Sequence, residues 1–226
     1  MNDVRADPAA SVKVAAAKGR PMLSWVGKRP LREVRSFPAQ LVERFAPPAP
    51  AGVVSDAVDW SHWPDRFDRG GLLFHGDNKE VLAHLLANGF RGKVDLVYID
   101  PPFDSGADYV RKVQLRGASG SARLDGENYT LGEQIQYTDI WANDTYLQFM
   151  YERLLLIKEL MTRDGVLAVH LDWKRVSHLR LVLDELFGAD RFLNEVVWHY
   201  FGFKRSTARN FSRKHDSILI YTNGPN

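Results

Sequence analysis

Cysteine is absent from these 226 residues. Disulfides and Cys-based zinc sites are therefore excluded. An excess of one charge is missing too: 30 Lys and Arg against 28 Asp and Glu leave a net charge of +2. Contact with a polyanion must then come from local basic patches rather than from an overall field. No apolar run is long enough to span a bilayer. The N-terminus also lacks the apolar core of a secretory signal, so the expected location is the cytoplasm. The 7 histidines are scattered without metal-ligand spacing, so no metal site is expected. There is no internal repeat.

What is present is a good supply of core-forming residues, 45% of the chain. This is enough for one sizeable domain with an extension. Residues 1–65 read as that extension, basic from about Lys13 to Arg35 and stiffened by Pro47, Pro48 and Pro50. Trp25, Trp60 and Trp63 imply that parts of it dock on something. Residues 66–226 read as the main domain. From Gly71 onward, strand and helix patterns alternate. Leu72–His75 reads as a short strand. Asp77 can cap a helix carrying Val81, Leu82, Leu85 and Leu86 at helical spacing, with Gly89 as its stop. Val94–Ile99 is a second strand, and residues 104–140 form a long excursion of the kind that is functional or mobile. Asn143 or Asp144 caps an amphipathic helix reaching Leu160, and Gly165 precedes a strand over Val166–Leu171. A helix follows from about Lys174 to Phe187, ending at Gly188, then strands over Leu193–Trp198 and Ser217–Thr222. The alternation predicts an α/β fold with a mostly parallel sheet.

The most informative residues lie just past the Val94–Ile99 strand: Asp100-Pro101-Pro102-Phe103. Ligands of open α/β sheets collect at that edge. The prolines fix the backbone, so their carbonyls can point into a pocket. Asp100 can accept from an amino group and Phe103 can stack on a flat ring, a suitable kit for a base with an exocyclic amine. An ordinary Pro-Pro turn would use the same residues, and the surrounding motifs decide between the two.

Those surroundings carry a resemblance. Asp-Pro-Pro-Phe behind an apolar strand resembles the catalytic motif of amino-methylating DNA methyltransferases. Its aspartate form points to adenine N6 rather than cytosine N4. Gly76-Asp77-Asn78 stands upstream where the family has its Gly-Asp-Asn signature. Asp139-Ile140-Trp141, the segment Gly165 to Asp172, Leu186-Phe187-Gly188, Glu195 to Trp198 and Lys214-His215-Asp216 follow in the family's order. The chain is most similar to modification subunits of type III restriction systems over about residues 71–223. The resemblance implies a Rossmann-like sheet with strand order third, second, first, fourth, fifth, seventh, sixth. It implies S-adenosyl-L-methionine as cofactor, DNA as substrate and a restriction subunit as partner. The missing thiol excludes the covalent route of cytosine-C5 enzymes, so transfer would go directly to nitrogen.

The family's Phe-x-Gly-x-Gly cofactor loop is not in this sequence; Phe201-Gly202-Phe203 lacks the second glycine. The expectation is therefore a partial sheet, the N-terminal, catalytic-motif part of a methyltransferase. Its other half would come from a longer chain, a second polypeptide or self-association.

By the same resemblance, Asp100, Pro101, Pro102 and Phe103 would be catalytic, and Asp77, Asn78 and Asp100 would face the cofactor. Asp77 reads equally as a helix cap. Lys204, Arg205, Arg209, Arg213 and Lys214, interleaved with Tyr200, Phe201, Phe203 and Phe211, form a candidate DNA-binding segment or a solvated charged loop. His170 and Asp172 either line the pocket or serve as packing and capping groups. Asp104 stands where relatives often have asparagine. Two other functions fit the motifs: an RNA-base methyltransferase, or an inactive DNA-binding subunit of a restriction system.

Overall fold

The computed structural model describes residues 11–16, 22–40, 72–103, 109–112, 133–137, 145–201, 211 and 213–225. The strands are β1 (Ser11–Lys13), β2 (Glu33–Arg35), β3 (Val94–Ile99), β4 (Tyr109–Lys112), β5 (Glu133–Tyr137), β6 (Met161–Leu171), β7 (Phe192–His199) and β8 (His215–Thr222). The helices are α1 (Asn78–Ala87), α2 (Thr145–Leu160) and α3 (Val176–Phe187). Two small antiparallel pairs, β1 with β2 and β4 with β5, accompany a sheet ordered β3-β6-β8-β7.

That sheet is mixed rather than mostly parallel. β3 and β6 run parallel, while β8 is antiparallel to both β6 and β7. A parallel neighbour needs a crossover, usually a helix. The sequence between β7 and β8 carries no helical pattern, so β8 turns back and inserts between β6 and β7. The resulting order is the fourth, fifth, seventh, sixth run that the resemblance implies. Leu72–His75 is not a strand: it is irregular, and Leu73 is almost fully exposed. Among the described residues it has no neighbour to complete a ladder.

Local chemistry sets the element ends. The Asp77 carboxylate accepts from the Lys79 amide at 2.8 Å and starts α1. Asn88 closes it, donating to the His84 and Leu85 carbonyls, and Gly89 follows at φ 87°. The capping candidates Asn143 and Asp144 lie outside the described residues. α2 passes straight into β6, well before the glycine-led start that the sequence suggests. Met161 pairs with Val94, then residues 162–165 loop out before pairing resumes at Leu96 with Val166. Gly165 sits where a Cβ would lie 3.0 Å from the Val94 carbonyl oxygen.

Strand alternation divides β6 and β8 cleanly. Leu167, Val169, Leu171, Leu219 and Tyr221 point to one face and pack under α2 and α3 on Leu154, Leu179 and Leu183. The Tyr221 hydroxyl is buried and donates to Asp184 at 2.6 Å. Burial and then the Asp184 carboxylate push its ionisation far above the usual tyrosine range. Val12, Val34, Ala83, Leu86, Phe90, Leu156 and Leu160 form a second cluster. Trp25 joins the main core edge-on to Tyr151, with ring centroids 5.6 Å apart, and Lys28 pairs with Glu185 at 2.7 Å. Parts of the N-terminal 65 residues thus share the core; Trp60 and Trp63 lie outside the described residues. Among the described residues, no element covers the opposite face of the sheet. On β3, Leu96 is 67% and Tyr98 55% exposed. Among the described residues, no helix is long and apolar enough to cross a membrane.

Candidate active site at the sheet edge

Register brings the site together. Ile99 pairs with Val169, so Asp100 leaves β3 level with His170 on β6. His170 pairs with Ile218, and Trp198 on β7 pairs with Asp216 on β8. Antiparallel partners share a face, and residues two apart along a strand do too. Asp100, His170, Asp216 and Trp198 therefore line up on the open face, one from each strand or its end. His170 is at the centre. Its Nδ1 is 3.2 Å from Asp100 Oδ1, and its Nε2 is 3.5 Å from Asp216 Oδ2. Its ring stacks along Trp198, with centroids 6.4 Å apart and planes at 20°. Phe103 meets it edge-on at 5.3 Å. The His170 side chain is 17% exposed and that of Asp100 61%, so the carboxylate of the tetrapeptide faces outward from a largely buried support.

The same edge is acidic. Burial pushes the Asp172 carboxyl up, and the nearby Asp216 adds to this; the Arg175 and Lys174 amides oppose without prevailing. Those two amides donate to Asp172 Oδ1 at 3.2 and 3.0 Å, and the Val176 amide donates to its carbonyl. Asp172 thus holds the turn that leads into α3, whereas its neighbour His170 belongs to the site. Burial, then Asp216 and Asp172, also raise the Tyr200 phenol. Negative charge gathered around an outward-facing carboxylate suits an amino group or a cation.

A DNA methylase family model matches residues 94–226, more than half of the chain. The protein belongs to this family of DNA methylases. The EcoP15I Mod subunit, a type III restriction-modification enzyme of Escherichia coli, is 29% identical over 218 residues, which cover 93% of this chain and 31% of that protein. The EcoPI Mod subunit of Escherichia phage P1 is 29% identical over 219 residues, 92% of this chain and 31% of the relative. The type II methyltransferase M.EcaI of Enterobacter cloacae is 32% identical over 148 residues, 66% of this chain and 28% of the relative. The chain thus spans less than a third of the length of these relatives.

In this member of the family, Asp77 and Asn78 lie in a second cluster. Arg153 of α2 donates to Asp77 Oδ2 at 2.9 Å and to Asn78 Oδ1, and lies over the Phe149 ring. Asp77 therefore serves as cap and as ion-pair partner at once, with its side chain still half exposed. Of the basic segment, Arg213 lies 3.8 Å over the Trp173 ring, just beyond β6, and the Lys214 carbonyl accepts from the Tyr200 amide where β7 and β8 converge. This sets Arg213 close to the acidic edge. Lys204, Arg205 and Arg209 lie outside the described residues, as does Asp104. Sequence reasoning missed Trp198 and Asp216 as site residues. The signal that could find them is alternation: both fall on the strand positions that point away from the core.

Proposed function

We propose that this methylase chain carries the catalytic edge of an enzyme that transfers a methyl group from S-adenosyl-L-methionine to adenine N6 in DNA. The observation that carries this is the outward-facing Asp100 carboxylate at the end of β3, backed by His170 and flanked by Phe103. A target base would leave the duplex, at a cost of about a few kcal/mol of unstacking. Asp100 and the Pro101 carbonyl accept from its amino group and aim the N6 lone pair, Pro102 holds the turn rigid, and Phe103 stacks on the ring. Orientation of this kind supplies much of the rate. When bound, the cofactor supplies an electrophilic methyl on a sulfonium. The acidic edge fits the positive charge of such a donor. Asp100, Asp77 and Asn78 are the residues assigned to hold it, although Asp77 and Asn78 already serve Arg153. The glycine-rich loop is not among the 226 residues, and we assign it to residues outside this chain, which then corresponds from residue 66 onward to the catalytic-motif part.

Direct transfer to nitrogen agrees with the absence of cysteine. The Mod-subunit relatives support a restriction subunit as partner and the cytoplasm as the place of work. The test is methyl transfer to duplex DNA by the active enzyme and by its Asp100→Ala variant. The variant should lose activity by about 100-fold or more, as when a preorganised transition-state partner is removed, with circular dichroism unchanged. Retained methylation by a folded variant, or methylation of RNA in place of DNA, would count against the reading.

A further inference from the structure

The geometry points to His170 as the positioning residue that fixes the Asp100 carboxylate, with Asp216 and Trp198 fixing the imidazole in turn. This rests on the reading of Asp100 as the acceptor for the target amino group. Asp100 by itself is a poor tool. It follows the last residue of a strand and most of its side chain is exposed, so its carboxylate could rotate freely against water. His170 removes that freedom by engaging one oxygen, Oδ1, at 3.2 Å. The other oxygen is left to accept from the substrate.

The imidazole is enclosed by side chains from three other elements or their ends. Trp198 covers one face, Phe103 meets it edge-on, and Nε2 points at Asp216 Oδ2. Nε2 is buried and makes no hydrogen bond, being 3.5 Å from that oxygen. A ring flip would put carbon atoms against both carboxylates, so the two acids together select one ring orientation. Packing alone does not account for a histidine here. Ala168, two residues earlier on the same face, and Ile218, its partner on β8, are apolar. A polar ring whose nitrogens face a carboxylate each is a means of orientation, the supporting role that lets a reacting group stay within a fraction of an ångström of its working geometry.

The experiment uses the active methylase, with any subunit it requires. His170→Phe keeps the ring and its contacts with Trp198 and Phe103 but cannot hydrogen-bond. It should lower kcat by about 10- to 100-fold, the scale of a small misplacement of a reacting group, with KM for DNA and for the methyl donor nearly unchanged. His170→Asn, whose amide nitrogen falls near the position of Nδ1, should recover part of the loss. Asp216→Asn should give a smaller fall of the same kind. A readout independent of turnover is the ¹⁵N resonance of the His170 ring in histidine-labelled protein. Asp100→Ala should shift Nδ1, and Asp216→Asn should shift Nε2. If His170→Phe keeps kcat within about two-fold, or raises KM alone, or if Asp100→Ala leaves Nδ1 unmoved, the assignment falls. Should the wild-type enzyme not methylate DNA, the proposed function fails. The ring resonances still report whether His170 holds Asp100.

Discussion

Asp172 and His170 lie two residues apart, and the sequence offers the same pair of roles to both. They separate because of what each one meets. Asp172 points at the amides of the turn that precedes α3, whereas His170 points at carboxylates from two other strands or their ends. Neighbours along a chain can be read from sequence; neighbours across strands depend on register, which no single segment reveals. Asp172 also carries a pH signature. Burial, with help from Asp216, raises its carboxyl above the ordinary aspartate value of 3.8. A raised folded-state pKa means that the folded protein holds the proton more tightly than the unfolded chain. The resulting stability is complete below 3.8 and is lost as pH rises through the folded-state value. At neutral pH the charge is a burden. Asp172→Asn keeps an oxygen for the Lys174 and Arg175 amides, so it should raise the melting temperature at pH 7, and the gain should shrink on acidification. A difference that stays constant with pH in a thermal-denaturation series would refute the burial argument.

At the scale of elements, periodicity serves well wherever packing follows the pattern. The second strand and the helix to Leu160 fall within a residue of their observed ends, because apolar spacing decides which side faces the core. It fails where the deciding partner is remote. Leu72–His75 has a strand-like composition but no ladder neighbour among the described residues. β6 begins early because Met161 finds Val94, far away in sequence. Periodicity shows the β7–β8 hairpin as two strands; the insertion of β8 between β6 and β7 comes from the family resemblance and not from the pattern of the residues. The hairpin's basic segment leads to a prediction about DNA. Replacing Lys204, Arg205 and Arg209 together with alanine should weaken duplex binding. It should also flatten the plot of log affinity against log salt by about 0.9 for each phosphate that is no longer neutralised. Fluorescence anisotropy across a salt series measures this, and an unchanged slope would make the segment a solvated loop.

Among the described residues of the whole molecule, the sheet is one-sided. Helices cover one face, while the other presents Leu96, Tyr98 and Trp198 to solvent, and among the described residues β3 has no neighbour along its outer edge. Unpaired edges beside exposed apolar side chains invite association. The isolated 226-residue chain should sediment as mixed oligomers or melt over a broad range, and Leu96→Lys should shift it toward monomer. A sharp, reversible melt of a wild-type monomer would overturn this. The position of β8 also sets a clock. It is the last of these strands to be synthesised, yet it lies between β6 and β7. Until it emerges from the ribosome, β7 has no partner in the sheet, and Asp216 is not available to His170. A nascent chain therefore carries its Asp-Pro-Pro-Phe tetrapeptide through the synthesis of everything up to Asp216 without a working pocket around it. β3 and β6 can pair earlier, but the acidic edge can close only after β8 has emerged and brought β7 and Asp216 up to β6.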